Sequence, residues 1–163
     1  MAFVTTLQLV RILRKDKERL WSQQTLIDAA KTSIVAYNEK HWDEATKALA
    51  PNVVYEETGT NQSLHGVSDV LAAWKGWAFG FPDSKATFEA VHVSDDDTVI
   101  LEVTRRGTHT GPMGSPAGDI PATGKSIEVR TCQVIQIADG KTQRIHHYLD
   151  LATMMNQLGL SGA

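Results

Sequence analysis

The chain is expected to fold as an α+β domain, in which helices wrap a curved antiparallel sheet into a cone around a ligand-sized pocket. Three observations predict this. Apolar residues recur at helical spacing through the first half, the period changes to two from Lys85 onward, and clusters of turn residues separate the later runs. Helices followed by a meander of strands is an α+β order. A sheet that long must twist and curl, and amphipathic helices need its concave face to bury against.

Residues 5–20 carry Leu7, Val10, Ile12, Leu13 and Leu20 among charges, a weakly amphipathic helical segment. Residues 1–21 are therefore read as an N-terminal helical arm, suited to packing on a partner subunit, and residues 22–163 as the domain. Ser22 is placed to cap the next helix, where Leu26, Ala30, Ser33, Tyr37 and His41 share one face. Asp43 is placed to cap a short helix through Ala50, with Pro51 after its end. Residues 53–57 read as a short strand, closed by Thr58-Gly59-Thr60-Asn61. A third helix fits residues 67–79, with Val70, Leu71, Trp74, Trp77 and Ala78 on its apolar side. Strands then follow at 87–93, 98–109, 125–137 and 141–149. They are separated by the turn at 94–97, a Gly/Pro loop at 110–124, and Ala138-Asp139-Gly140. A last helix spans 151–158, with Gly159 as its stop.

Composition narrows the function classes. A chain of 163 residues with 42% hydrophobic and 21% charged residues has the makings of one globular core. Its net charge of -3 offers no field for nucleic acid or an anionic membrane, and no apolar run is long enough to span a bilayer. The start lacks the basic region and cleavage site of a secretory signal, and the single Cys132 suits a reducing compartment, so cytoplasm is expected. No Cys/His spacing matches a metal site, and Gly124-Lys125-Ser126 opens a strand rather than the helix of a phosphate-binding loop. No metal or cofactor is expected.

In order along the second half come Gly107-Thr108-His109-Thr110-Gly111, Pro121-Ala122-Thr123-Gly124-Lys125, Asp139-Gly140-Lys141, then Asp150 and Gln157-Leu158-Gly159. With Leu49 to Val54 and Phe81-Pro82-Asp83 upstream, this set resembles the SnoaL-like polyketide cyclases. That family lies within the nuclear-transport-factor-two-like superfamily and is related to the ketosteroid isomerases. The resemblance runs from about Leu26 to Gly159 and implies a cofactor-independent cyclase or isomerase. Such an enzyme moves a proton next to the carbonyl of a small apolar compound such as a polyketide, and works as a homodimer. A non-catalytic binding module of the same fold, or a dimerisation domain, are the alternatives.

Asp150 occupies the place of the family's acid/base aspartate, at the end of the last strand. The same position is also the N-cap of helix 151–158, and the sequence leaves both roles open. If Asp150 faces the cavity, strand parity places Tyr148, His146 and Arg144 with it and turns Leu149, His147 and Ile145 away, unless a bulge intervenes. His146 then joins Asp150 as a catalytic candidate, and Tyr148 is placed to bind the substrate carbonyl. His109 is either a ligand contact or the residue that orders the loop after it. Glu57 falls near the acidic base of the related isomerases, whereas the helix tyrosine of those enzymes is replaced by Ser33, with Tyr37 one turn on. Tyr37, Tyr55, Trp77 and Gln133 are expected to line the cavity.

Overall fold

A computed structural model describes residues 6–94, 97–115 and 118–161, with side chains from residue 23 onward. The tips of the turn at 94–97 and of the loop at 110–124, and the first residues of the arm, fall outside the described residues. The elements run α1 (Thr6–Glu39), α2 (Trp42–Ala48), β1 (Leu49–Glu57), β2 (Gln62–His65), α3 (Gly66–Gly80), β3 (Lys85–Val93), β4 (Thr98–Thr108), β5 (Ser126–Ala138), β6 (Lys141–Leu149) and α4 (Leu151–Leu158). One open, curved six-stranded sheet results, in the order β2-β1-β6-β5-β4-β3.

Several local features differ from the sequence expectation. His41 precedes α2, so Asp43 lies in its first turn and not at the cap. The strand expected at 53–57 begins at Leu49, where the short helix has already ended. Backbone helix continues through Ser22, so α1 is a single 34-residue helix and Ser22 lies inside it rather than at a cap. The expected antiparallel meander holds from β3 to β6, but β1 joins β6 in parallel, and a short β2 pairs with β1 after the turn. A four-residue strand of polar composition carries too little alternation to stand out in sequence.

On α1, Ala30, Ser33, Ile34, Ala36 and Tyr37 are buried. The small members of that stripe let the helix approach the sheet closely. Lys40 takes the left-handed conformation that ends α1, at φ 59°, while His41 N–H donates back to the Ala36 carbonyl at 2.8 Å. The Asn38 amide meets both backbone groups of Ala86, each at 2.8 Å. It thereby covers part of β3, an edge strand whose free backbone groups would otherwise be open to pairing.

The interior is packed as two clusters rather than one. The first joins Ile34, Leu49, Val53, Val70, Val99, Leu101, Ile135 and Ile145 beneath α1 and α3. The second gathers Phe81, Ile127, Val129, Met154 and Leu158 beneath α4. α4 is held by Asp150, whose side chain accepts from Thr153 N–H at 3.0 Å, and is ended by Gly159 at φ 73°. After α3, the Gly80 carbonyl accepts from both Thr110 and Gly111 N–H groups at 3.1 Å, which fastens the start of the long loop to the helix end.

A Cβ at Gly111 would strike the backbone carbonyl of Phe79, whereas one at Gly114 would meet nothing closer than Asp119 Oδ1 at 3.9 Å. Gly111→Ala is therefore expected to cost about 1–3 kcal/mol in urea unfolding and Gly114→Ala less than 1 kcal/mol. Equal costs would mean that the loop is not seated on the end of α3.

Candidate active site

The register of the parallel pair sets Glu57 beside His147 and Tyr55 beside Ile145. On the other side of β6, Gln133 stands opposite His147. Glu57, His147 and Gln133 thus make one polar row across three neighbouring strands on the concave face of the sheet. His147 and Gln133 are buried, at 4% and 3% exposure.

Hydrogen bonds lock the row to Tyr55. His147 Nδ1 lies 2.8 Å from Glu57 Oε2, and the Tyr55 hydroxyl donates to the same oxygen at 3.0 Å. That hydroxyl oxygen is also 2.6 Å from His147 Nδ1, and Thr60 donates to Glu57 Oε1 at 2.8 Å. Burial pushes the Glu57 carboxyl upward, but the hydrogen bond and charge of His147, with Thr60 and Tyr55, outweigh it and hold the group below its ordinary range. Burial likewise lowers the His147 imidazole. The hydrogen bond to Glu57 opposes that fall and the charge of Arg105 adds to it. Burial, reinforced by the Glu57 charge, raises the Tyr55 phenol well above its usual value.

At neutral pH the cluster is therefore a carboxylate beside a neutral imidazole and a neutral phenol. A carboxylate only accepts, so Nδ1 carries the imidazole proton and donates it to Glu57, and Nε2 keeps a free lone pair. Nε2 is buried and has no hydrogen-bond partner among the described residues. The arrangement can accept a proton at Nε2 while Glu57 stabilises the imidazolium that forms.

A cavity of about 840 Å³ lies against this row. Ile34 and Tyr55 of the first cluster border it on one side, and Trp77, Leu149, Met154 and Met155 from around the second on the other. The cavity is the gap between the two packed regions. Met113, Gly114, Ser115 and Ile120 of the long loop also line it, with Met113 and Ile120 bridged backbone to backbone. No group of three His, Cys, Asp or Glu among the described residues is placed to hold a metal ion. No helix among them is long and apolar enough to cross a membrane.

Of the residues singled out from sequence, Tyr37, Tyr55, Glu57, Trp77 and Gln133 line the cavity. Asp150, His146, Tyr148 and His109 do not. Asp150 is exposed, and its bonds to the Thr153 backbone hold its carboxyl below the ordinary range, the condition of a helix cap. His146 and Arg144 lie on the convex face, where both reach Glu56 Oε2, at 3.0 and 2.7 Å. Tyr148 shares that face and is 47% exposed. The parity inferred from Asp150 is thus reversed: Ile145, His147 and Leu149 point inward. Asp150 does not mark the concave face because it lies past the end of β6, where the chain has already turned into α4. His109 is fully buried but stacks on Phe81 at 4.9 Å, and its Nδ1 meets Thr123 Oγ1 at 3.2 Å, so it ties down the long loop.

Sequence reasoning missed His147 and Arg105. The signal was available, because Ile145 and Leu149 flank His147 at strand period and mark the core face, as Leu101 and Val103 do for Arg105.

A curved α+β cone that encloses an apolar cavity, with a buried carboxylate–imidazole pair on its wall, is the architecture of the nuclear-transport-factor-two-like folds. Residues 27–158 match the model of the SnoaL-like polyketide cyclases, and the chain belongs to that family. Similar solved structures share the fold. TsrD from Streptomyces laurentii superposes with a TM-score of 0.71 at 23% identity, over 84% of this chain and 96% of that one. IdmH from Streptomyces antibioticus, a proposed polyketide cyclase, gives 0.70 at 23% identity, over 82% and 98%. A proposed ketosteroid isomerase from Kribbella flavida gives 0.59 at 16% identity, over 77% and 78%. No curated protein matches the sequence.

The folded state lowers both Glu57 and His147, so in each window the unfolded chain binds more protons and stability rises with pH. The His147 contribution is complete above its ordinary 6.5 and is lost as pH falls through its lower folded value. Glu57 follows below 4.5. Urea midpoints from pH 8 to 4 should therefore show a stability gap between wild type and His147→Gln that narrows as pH falls below about 6.5. A gap that widens on acidification would mean a protonated His147.

Proposed function

We propose that the chain is an acid/base enzyme of the cyclase or isomerase kind, acting on a small, largely apolar carbonyl compound held in the cavity. The observation that carries this reading is His147, a residue lining the apolar cavity whose buried Nε2 has no partner among the described residues and whose Nδ1 is backed by an ionised Glu57. A histidine kept neutral at physiological pH is ready to accept a proton. A hydrogen on carbon beside a carbonyl is acidified by the enolate it leaves behind, and His147 Nε2 is the group suited to take it.

Glu57 fixes the tautomer and offsets the charge that appears on the ring. It is a positioning residue, since it acts through His147. Tyr55 and Thr60 hold the Glu57 carboxylate in place. The Trp77 indole N–H, buried and without a partner among the described residues, is the donor available to a developing enolate oxygen. Returning the proton from His147 to a different carbon of the enolate completes an isomerisation. If the enolate carbon instead attacks a second carbonyl of the same molecule, the C–C bond forms as that C=O becomes an alkoxide. The proton from His147 then goes to the alkoxide oxygen and completes an aldol-type ring closure. Asp150, held as an exposed cap, lacks the desolvated setting that this chemistry needs.

Deuterium incorporation from D2O into 2-tetralone, an apolar bicyclic ketone, tests the reading without knowledge of the natural substrate. Wild-type protein is expected to accelerate exchange over buffer, and His147→Gln to lower the enhancement by ~10²–10⁴. Glu57→Gln is expected to lower it less and to shift its pH profile, while Asp150→Asn leaves it near wild type. No enhancement by wild type, or full enhancement in His147→Gln, would refute the assignment.

A further inference from the structure

Arg105 is the one lysine or arginine on the cavity wall among the described residues. It occupies the concave face of β4 after Leu101 and Val103, opposite the buried Ala86 of β3 and Val129 of β5. Its guanidinium carbon stands 5.7 Å from the centre of the Tyr37 ring, and its Nε is buried without a hydrogen-bond partner among the described residues. No carboxylate among those residues lies within ion-pair distance of it. Among the described residues Glu57 is the one acid on the wall, and its oxygens are already engaged by His147, Tyr55 and Thr60.

A cation set in an apolar row with its donors unspent is costly to keep unless something else answers it. The charge is felt inside the cavity, where it lowers the imidazole of His147 and opposes the rise of the Tyr37 and Tyr55 phenols. Trp77 Nε1, also unpartnered, adds a second donor to the same wall. The cavity wall therefore carries a charged donor and a neutral donor in a largely apolar surround, with Arg105 Nε and Trp77 Nε1 both unpartnered among the described residues. A guanidinium presents its N–H groups as a planar fork, which fits a carboxylate by two parallel bonds.

We infer that the ligand of this cavity is a carboxylic acid with an apolar ring body, its carboxylate paired to Arg105 and its rings packed between the aromatic and methionine side chains. This deepens the proposed function and rests on reading the cavity as the substrate site. It makes the substrate class an apolar keto acid, not a neutral ketone.

Binding of 2-naphthoate and of its neutral isostere 2-naphthamide, by titration calorimetry at pH 7.5, separates the two classes. Wild type is expected to bind the acid about tenfold or more tighter, the size of a charge-assisted bond in a partly dry site. The preference should shrink as sodium chloride is raised. Arg105→Gln is expected to abolish the preference while keeping the amide affinity, Arg105→Lys to keep part of it, and Arg106→Gln, at an exposed neighbour paired to Glu128 and outside the cavity lining, to keep all of it. Absence of binding by either compound, equal affinities in wild type, or a preference that survives in Arg105→Gln would overturn the inference. Should Arg105→Gln fail to fold, the wild-type comparison and its salt dependence still decide. Failure of the proton-transfer reading shows in the 2-tetralone exchange and leaves this acid preference untouched.

Discussion

The parallel register of β1 on β6 is the constraint on which the rest depends. It sets Glu57 beside His147 on the concave face and Glu56 beside His146 on the convex one. Each face therefore carries its own carboxylate cluster, with opposite surroundings. Outside, Glu56 meets Arg144 and His146 where their side chains are more than a third exposed, so solvent screens the pairs and they contribute little. Inside, side chains at 5% and 13% exposure meet in a low-dielectric wall, and the same chemistry becomes a tuned acid–base pair. A slip of one residue would exchange the two clusters and bury Arg144.

The cavity follows from how the helices meet that sheet. α1 and α3 cover the part of the concave face occupied by the first cluster, and α4 covers the second. Neither set reaches across the middle, where inward positions carry Arg105, Gln133 and His147 instead of large aliphatics. Filling that gap with packed apolar side chains would gain burial energy, roughly 25 cal/mol per Å² of apolar surface covered. The chain forgoes it, and leaves Trp77 Nε1, Arg105 Nε and His147 Nε2 without partners. Buried polar atoms without partners cost free energy, and their concentration around one space is the physical mark of a binding site.

Much of the architecture was legible in the sequence because each element carries its own period. β6 and α4 are bounded as expected, and β3, β4, β5 and α3 to within two residues, with turn residues at their ends, whereas β1 begins four residues earlier than expected. The four residues expected to line the cavity, Tyr37, Tyr55, Trp77 and Gln133, do so for the same reason: the apolar stripes that mark a helix or strand face also mark what lies on it. The parallel β1–β6 contact was not legible, since pairing residues such as Glu57 and His147, 90 positions apart, leaves no local trace. The site suffered from one choice of reference. Reading β6 backward from Asp150 took a cap as a strand position and reversed the face. Reading it from Ile145 and Leu149, whose burial is dictated by their side chains, gives His147. Apolar residues fix strand parity more firmly than a polar residue at a strand end.

The most direct measurement of the account is the protonation pattern of the His147 ring. A long-range ¹H–¹⁵N correlation spectrum of the imidazoles at pH 7, assigned with His147→Gln, reads both nitrogens at once. The account predicts a protonated Nδ1 and an unprotonated Nε2, with no change until the pH falls below the ordinary histidine range. A proton on Nε2 at pH 7, whether as the other tautomer or as an imidazolium, would contradict it, because the cavity would then face a donor and not a base.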